Sequence, residues 1–503
     1  MTETVVIAGA GPVGLMLAAE LALAGTPPVV LERRAGRESE SYSRLLHGHS
    51  AALLAQRGLL DQLGELPRWP FVHFAHIPLD LGKADPRDYW LIVPQTRVEA
   101  VLEKRAVELG ADIRWNTEVV GVAQDEEGVT VTVRTPGGVD EIRAAYLVGA
   151  DGQNSAVREL AGFEAPPVGP SWYGVVGHVA GYEGPPGGTT GPGGMFGAIP
   201  DDGFHHLMTT EFDRPTPPPD VPVTFDELRA SVRRVTGGDV TGGQPGWLAR
   251  YGNVTRIAST YRIGRVLLAG DAAHVHFHAV GHGLNTGLND AVNLGWKLAA
   301  QVAGWAPPGL LDSYDRERRP VGERAVQVML AQLALLHPYG QVGPIRSLFA
   351  ELTDIDEVVR RLVGAVTRVR YPIEAAGEGA DSPLLGDRID GLVLAEGRGA
   401  LLDLSGGEAD LTAAAGWSDR VDLVTDPDVT LPEVTASEAS GASGAGGAEA
   451  AVPRPCARAL LVRPDGHVAW VDTAGPGEPT DVKGLTAALT TWFGAPGPRD
   501  AHG

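Results

Sequence analysis

Cysteine is all but missing: Cys456 is the only one in 503 residues. A single thiol excludes an intrachain disulfide, a CxxC redox pair and a cysteine metal cluster, and fits a reducing compartment. Lysine is nearly as scarce, with 4 residues against 37 arginines. Basic residues total 41 against 63 acidic ones, a net charge of −22, and no basic run stands out. Nucleic acid is therefore not an expected partner. No stretch approaches the roughly 20 apolar residues that cross a bilayer, so no membrane span is expected. The opening MTETVVIAGAG enters a strand within a few residues, lacks a basic leader and leaves no room for a signal peptide. The cytoplasm is the expected location.

What is present is enough apolar material for two or three domains. Residues 4–8 (TVVIA), 15–24 (LMLAAELALA) and 29–32 (VVLE) read as strand, helix and strand around a glycine turn, a βαβ unit. Residues 98–109 have helical spacing, and 128–134 followed by PGG and DEIRAAYLVGA predict antiparallel strands leading to a buried one. From 166 to 222 glycine, proline and aromatics dominate, with strand-like pieces such as WYGVVGHVAGY and GGMFGAIP, which predicts a separate sheet. IGRVLLA at 263–269 reads as a buried strand, 284–303 as a long helix and 310–370 as wholly helical. A third unit follows GEGADSPLLGDRI (377–389), with strands at 400–404, 421–424, 458–463 and 467–471 and a helix at 482–493. The small, polar SEASGASGAGGAEAA (437–451) within it is expected to be disordered.

Three motifs carry chemistry. Gly9, Gly11 and Gly14 in GAGPVG, with Pro12 and Val13 between them, follow a strand and open a helix. Such glycines let the backbone approach a pyrophosphate at a helix N-terminus, and Glu32, followed by Arg33, ends the next strand where an acid meets an adenosine ribose. That pattern predicts dinucleotide binding without choosing FAD over NAD. GRVLLAGDAAH (264–274) runs a strand into Asp271, either a ligand for a flavin's ribityl chain or a plain strand-end cap. YLVGADGQNSAVR (146–158) places Asp151 after a strand and Arg158 on the next helix, which alone reads as an Asp-Gly turn.

Together, in this order, the three motifs resemble the class A flavoprotein monooxygenases, the para-hydroxybenzoate hydroxylase family, and most closely its bacterial aromatic-polyketide hydroxylase branch. GAGPVG matches the family's FAD-ADP motif, ADG (150–152) its DG motif, and GDAAHVHF with GLNTGLNDAVNLGWKLA (283–299) its second FAD motif. LIVPQTRVEAVL (91–102) resembles the segment whose Gln and Arg touch the flavin, here Gln95 and Arg97, and SRLLHGHS (43–50) the one whose Arg sits beside the cofactor, here Arg44. LLGDRI and LLVRPDGHVAWV resemble a redox-inactive thioredoxin-like unit. The resemblance implies an α/β (α+β) chain: a Rossmann-like FAD-binding domain at 1–165 and 262–378 that includes the helical segment, a substrate-binding sheet domain at 166–261, and a thioredoxin-like C-terminal domain at 379–503. It also implies NADPH or NADH as reductant, O₂ as co-substrate, a flavin C4a-hydroperoxide, and hydroxylation of a polycyclic aromatic polyketide by a monomer or homodimer.

The sequence departs from the family where relatives read P-x-G-G-Q-G-L-N and this chain reads HAVGHGLN (278–285). Gly281, Gly283, Leu284 and Asn285 keep the pattern, so FAD binding is still expected. His278 and His282 replace Pro and Gln, reading either as acid-base or substrate-bonding groups near neutral pH or as drift in a solvated loop. Arg44 joins them as the candidate catalytic set. The remaining histidines, including His47, His49, His274 and His276, imply no third ligand and no metal. Trp90, Phe196, Phe204, His206 and Met208, with Phe212, are candidates to line a flat pocket, or equally core. Baeyer–Villiger insertion on the same scaffold and a flavin-binding protein without oxygenase turnover are the alternatives.

Overall fold

The computed structural model describes residues 4–497 except 277–280, 374–378, 432–456 and the positions 40, 42, 70–71, 85–86, 192, 202, 213, 215–216, 219–220, 368, 426, 428, 430 and 476. His278 and the polar stretch 437–451 thus lie outside the described residues.

The chain opens on the fully buried strand Val5–Ala8, and Pro12 at the first helical position starts α1 (Pro12–Leu23). Proline suits that place because its φ is already helical and its missing N–H would have had no partner in the helix. α1 is apolar nearly all round; its one acid, Glu20, is buried and accepts two bonds from Arg57 at 2.7 and 2.8 Å. Helices α2 (Gly48–Gln56), α3 (Gln95–Glu108) and α4 (Ala156–Leu160) follow. The sheet they pack around has the order Arg262–Ile263, Val266–Leu268, Tyr146–Gly149, Val5–Ala8, Val29–Leu31, Asp112–Arg114. Its pairings are parallel except the first. IGRVLLA, expected as one strand, is instead a tight hairpin: Gly264 takes φ +60° and Arg262–Ile263 folds back on Val266–Leu268.

The second sheet is antiparallel, ordered Thr189–Gly191, Gly194–Asp201, Phe204–Phe212, Pro167–Glu183, Gly242–Ile257, His274–Val275. One face is covered by α5 (Phe225–Thr236), capped at its start by Thr224 and stopped by Gly237 in the left-handed conformation. Leu228, Val232 and Val235 of α5 bury against Tyr173, Val175, Val179, Phe196 and Leu207. Strand alternation sends Trp172, Val176, His178, Phe204, His206 and Met208 to the opposite face. Phe196 is therefore a correction: it was expected at the pocket, yet it lies under α5. Its register partner Thr209 accepts a hydrogen bond from Ser231 of α5 at 2.8 Å, which puts both on the covered side.

α6 (His282–Val302) returns to pack along α1, and 310–370, expected to be helical, folds as three helices, α7 (Ser313–Ala334), α8 (Tyr339–Leu352) and α9 (Asp356–Thr367). Met329 and Leu333 of α7 and Val359 and Val363 of α9 join Trp90, Trp172, Val176 and Met195 in one apolar cluster, so these helices close over the uncovered face. The thioredoxin-like unit has the order Val421–Thr425, Gly399–Asp403, Ala459–Val462, Val468–Asp472, its first pair parallel and the others antiparallel, with the helix Val482–Phe493 against it.

The turn of its last hairpin plugs into the first unit. Glu317 of α7 accepts from Arg463 at 2.7 and 2.8 Å, from Lys297 of α6 at 2.8 Å and from Asn293 at 2.7 Å. Arg463 also donates to Asp465, and Arg57 reaches the carbonyl of Pro464. Burial pushes Lys297 down to about 8; burial raises Glu317, but Arg463 and Lys297 outweigh it and hold the carboxyl at about 2. Removing one member of such a cluster leaves charge buried without compensation. Glu317→Gln is expected to cost about 3–5 kcal/mol in urea unfolding, with much of the loss recovered in Glu317→Gln/Lys297→Met. A loss within the surface range of about 0.5 kcal/mol would refute the assignment.

Candidate functional site

The three motifs meet at the C-terminal ends of three neighbouring inner strands of the parallel sheet, Val266–Leu268, Tyr146–Gly149 and Val5–Ala8. Gly9 turns with φ +103° against the carbonyl of Ala150, and Gly14 packs on the carbonyl of Gly9, so any side chain at either would collide with backbone. A Cβ at Gly11, by contrast, would meet nothing within 4 Å, and Gly11 is the N-cap of α1 with no side-chain cap. Unbonded N–H groups at a helix start, facing open space through a glycine, form a cradle for a phosphate. Val13 turns the other way and fits between Gly270 and Gly287, joining the first motif to the second. Arg158 of α4 donates to the carbonyls of Ala272 and Gln153, at 3.1 and 3.0 Å, and so ties the DG segment to the second motif.

Glu32 accepts from the Ala10 N–H at 2.9 Å and from the backbone and guanidinium of Arg34. Burial raises this carboxyl, but Arg34 and the backbone donors outweigh it and hold it below the usual range. Arg34 is thus the ion-pair partner of Glu32, and Arg33 beside it is exposed. Asp151 caps α4 through Ser155 and the Val157 N–H, and burial pushes it up.

The second motif is held from below. Asp290 of α6 accepts from the Gly270 N–H at 3.0 Å, from His274 Nε2 at 2.7 Å and from Arg318 at 2.6 Å, all fully buried. Burial raises Asp290, yet Arg318 and His274 prevail and it remains a carboxylate. Above it, Gly281 caps α6 with φ +76°, and Gly283 brings the helix start within van der Waals reach of Asp271. Asn285 staples this start to the neighbouring strand. Its Oδ1 accepts from the His47 N–H at 2.8 Å, and its Nδ2 donates to the carbonyls of Leu45 and Gly281 at 3.0 and 2.8 Å. Leu284 beside it is buried.

His282 is the first residue of α6, buried, with no hydrogen-bond partner on Nε2 among the described residues. Burial, then His47 and His276 beside it, pushes its pKa well below the ordinary value. The expectation that it titrates near neutral pH is corrected; it is a neutral ring, disfavoured further as a cation at the positive end of a helix. The antiparallel pair Leu45–His47 and Trp90–Ile92 aligns two more predicted residues: Val93 N–H donates to the Arg44 carbonyl and Gln95 N–H to that of Ser43. Gln95 continues to Glu99 at 2.8 Å. Arg97, two positions along α3 and hence on another side, is exposed and lies against Gly64. Trp90 is buried and stacks on His47 at 5.2 Å.

On the uncovered face of the second sheet, Phe204 stacks on His178 at 4.3 Å, Arg44 lies 5.7 Å over Phe204, and Met208 joins the apolar cluster of Trp90 and Trp172. Phe212 packs there too. Sequence reasoning missed His178, Trp247 and Tyr251. The period of two from Trp172 to His178 in WYGVVGHVAGY carried the signal for the first of them. Among the described residues no group of three or more His, Cys, Asp or Glu is placed to hold a metal, and no helix is long and apolar enough to cross a membrane.

The glycine cradle, Glu32 and the open start of α6 fit an FAD. Comparison with known proteins points the same way. A family model for an FAD binding domain matches residues 2–329, and one for the C-terminal part of aromatic-ring hydroxylases matches 386–496. The chain is 41% identical to the 12-dehydrotetracycline 5-monooxygenase/anhydrotetracycline 6-monooxygenase of Streptomyces rimosus, covering 99% of this chain and 100% of that one. It is also 41% identical to the dialkyldecalin synthase of Streptomyces rugosporus, over 98% of this chain and 99% of that one. Among solved structures, the anhydrotetracycline hydroxylase OxyS from Streptomyces rimosus superposes with a TM-score of 0.84 at 39% identity, covering 98% and 99%.

Gly11→Ala separates cradle from fold, because the methyl enters open space. Purified protein is expected to keep its far-UV circular dichroism and lose flavin, with FAD affinity down by about tenfold or more. Unchanged FAD affinity would show that the pyrophosphate does not lie there.

Proposed function

This chain belongs to the FAD-dependent monooxygenases of the para-hydroxybenzoate hydroxylase family, in its bacterial aromatic-polyketide branch, and from that premise we propose that it hydroxylates a polycyclic aromatic polyketide with NADPH or NADH as reductant. The observation that carries the reading is the convergence of three motifs, each more than 100 residues from the next in sequence, on one glycine-lined cradle.

FAD supplies the reactive chemistry, activating O₂ once reduced. The protein binds and orients. The start of α1 at Gly11 takes the pyrophosphate, Glu32 the ribose, and Asp271 with the start of α6 at Gly281–Asn285 the flavin end. Arg44 and Gln95, on adjoining backbone, edge that end. His282 contributes a neutral hydrogen-bonding ring. Trp90, Trp172 and Met208 line the substrate side with apolar surface, which favours a flat polycycle and keeps water out. Phe204, with Arg44 over its ring, extends that wall.

A second reading has its own support in the similarity to dialkyldecalin synthase and in the HAVGHGLN departure: FAD held as a structural group without oxygen transfer.

The deciding experiment is anaerobic reduction by NADPH and by NADH with a panel of polycyclic phenols, then mixing with O₂. Hydroxylation predicts that a phenol accelerates flavin reduction by about tenfold or more and yields a product heavier by one oxygen. Flavin indifferent to both nicotinamides with every phenol would favour the second reading.

A further inference from the structure

Ten large apolar side chains are exposed among the described residues, and four of them, Ile345, Leu348, Leu352 and Ile355, fall within eleven consecutive positions at 58, 57, 42 and 51% exposure. They lie on α8 and in the turn just after it. One face of α8 is already satisfied. Val342 is buried, Arg346 donates to the carbonyls of Ala75 and Leu335 at 2.5 and 3.3 Å, and Phe349 stacks on Phe74 at 5.3 Å. Through these contacts the helix holds the hairpin formed by Val72–Phe74 and Ile77–Leu79, which packs in the apolar cluster of Trp90 and Trp172. The exposed stripe runs beside that face and has no cover of its own.

Its spacing and its order identify the cover. Steps of three, four and three residues are those of a coiled-coil seam, where a narrow apolar stripe packs on a facing helix. The order Ile, Leu, Leu, Ile reads the same in both directions. A two-fold axis demands that kind of self-complementarity, because if one position meets a second across the axis, the second also meets the first. With two such segments antiparallel and the axis beside Ala350, Ile345 meets Ile355 of the other copy and Leu348 meets Leu352. Charge points the same way. Two chains of net charge −22 repel, so copies can join only through a face without excess acid. Between Tyr339 and Ala350 the only charged residue is Arg346, and it is turned toward the hairpin. A lipid surface suits the stripe less well, since the chain is acidic and α8 has no lysine and no tryptophan. The polar stretch 437–451 and the residues 498–503 contain no Leu, Ile, Val, Met or Phe that could cover it from within the chain.

We propose that this stripe is the seam of a symmetric homodimer, in which α8 packs antiparallel on α8 of a second copy. Four half-exposed side chains cover less than the roughly 800 Å² per partner of a standard interface. The pairing is therefore reversible, with a dissociation constant on the order of 10 µM. One helix carries the seam on one side and the hairpin contacts on the next, so a second copy braces from outside the hairpin that packs against Trp90 and Trp172.

The test is sedimentation velocity of the purified holoenzyme over about 1 to 100 µM, in which wild type is expected to shift from monomer toward dimer as concentration rises. Leu348→Lys and Leu352→Glu change exposed positions and should leave far-UV circular dichroism and flavin content as they are. Each alone is expected to weaken self-association by about tenfold or more. Mixed in equal amounts, the two variants should pair again, because the two-fold sets position 348 of one copy against position 352 of the other and the introduced charges are opposite. Wild type that stays monomeric throughout, dimers that both single variants retain, or a mixture that stays monomeric would each overturn the proposal. So would wild type that does not self-associate but co-sediments with phosphatidylcholine vesicles while Leu348→Lys does not, which would give the stripe to a lipid surface. The hydroxylase reading stands or falls separately from all of these outcomes.

Discussion

Much of the molecule depends on a single buried carboxylate. Asp290 takes its place in the middle of α6 and gathers the Gly270 N–H and the His274 ring from one segment and the Arg318 guanidinium from another. A carboxylate in so dry a site is tolerated only because each neighbour is a donor. The gain is positional. With Gly270 fixed, Asp271 is aimed at the start of α6, and with Arg318 fixed, α7 is held against the same helix. The flavin end of the site is thereby built from rigid elements, although its own residues lie on short turns.

From there the architecture runs outward in two directions. Toward the C-terminus, α6 and α7 offer Lys297, Asn293 and Glu317 to the hairpin turn at Arg463. Toward the substrate side, Asn285 fastens the start of α6 to the Leu45–His47 strand. That strand is preceded by Arg44, which reaches the second sheet at His178. These hydrogen bonds, and the helices and strand that carry their members, thus link the three units.

The distance in sequence between such partners explains what the sequence disclosed and what it withheld. Local periodicity was enough for α1, α3 and the C-terminal strands, because apolar spacing there follows the element's own geometry. GAGPVG and GDAAH were legible because a glycine close to a backbone, or an acid at a strand end, answers to local needs. IGRVLLA misled because its apolar residues suit a strand and a hairpin equally, and only Gly264 marked the turn. Phe196 and Met208 are equally apolar, and which face each takes depends on a register that no single strand displays. His282 looked like an ordinary titrating imidazole since burial is a property of the assembled site. His178 was passed over because its partners are 134 and 28 residues away.

The hairpin turn carrying Arg463 also bears on how such chains diverge. The thioredoxin-like unit has its own sheet, its own helix and no thiol pair, so it resembles a part that gene fusion could exchange freely between relatives. The buried contact with Glu317 argues otherwise. Any crossover between codons 317 and 463 takes Glu317 and Arg463 from different parents, and a chimera whose parents disagree there would carry a buried charge without its partner. Inheritance of the tail is thereby tied to inheritance of two helices in the flavin-binding unit, and the boundary drawn by strand order is not the boundary at which the gene can be cut.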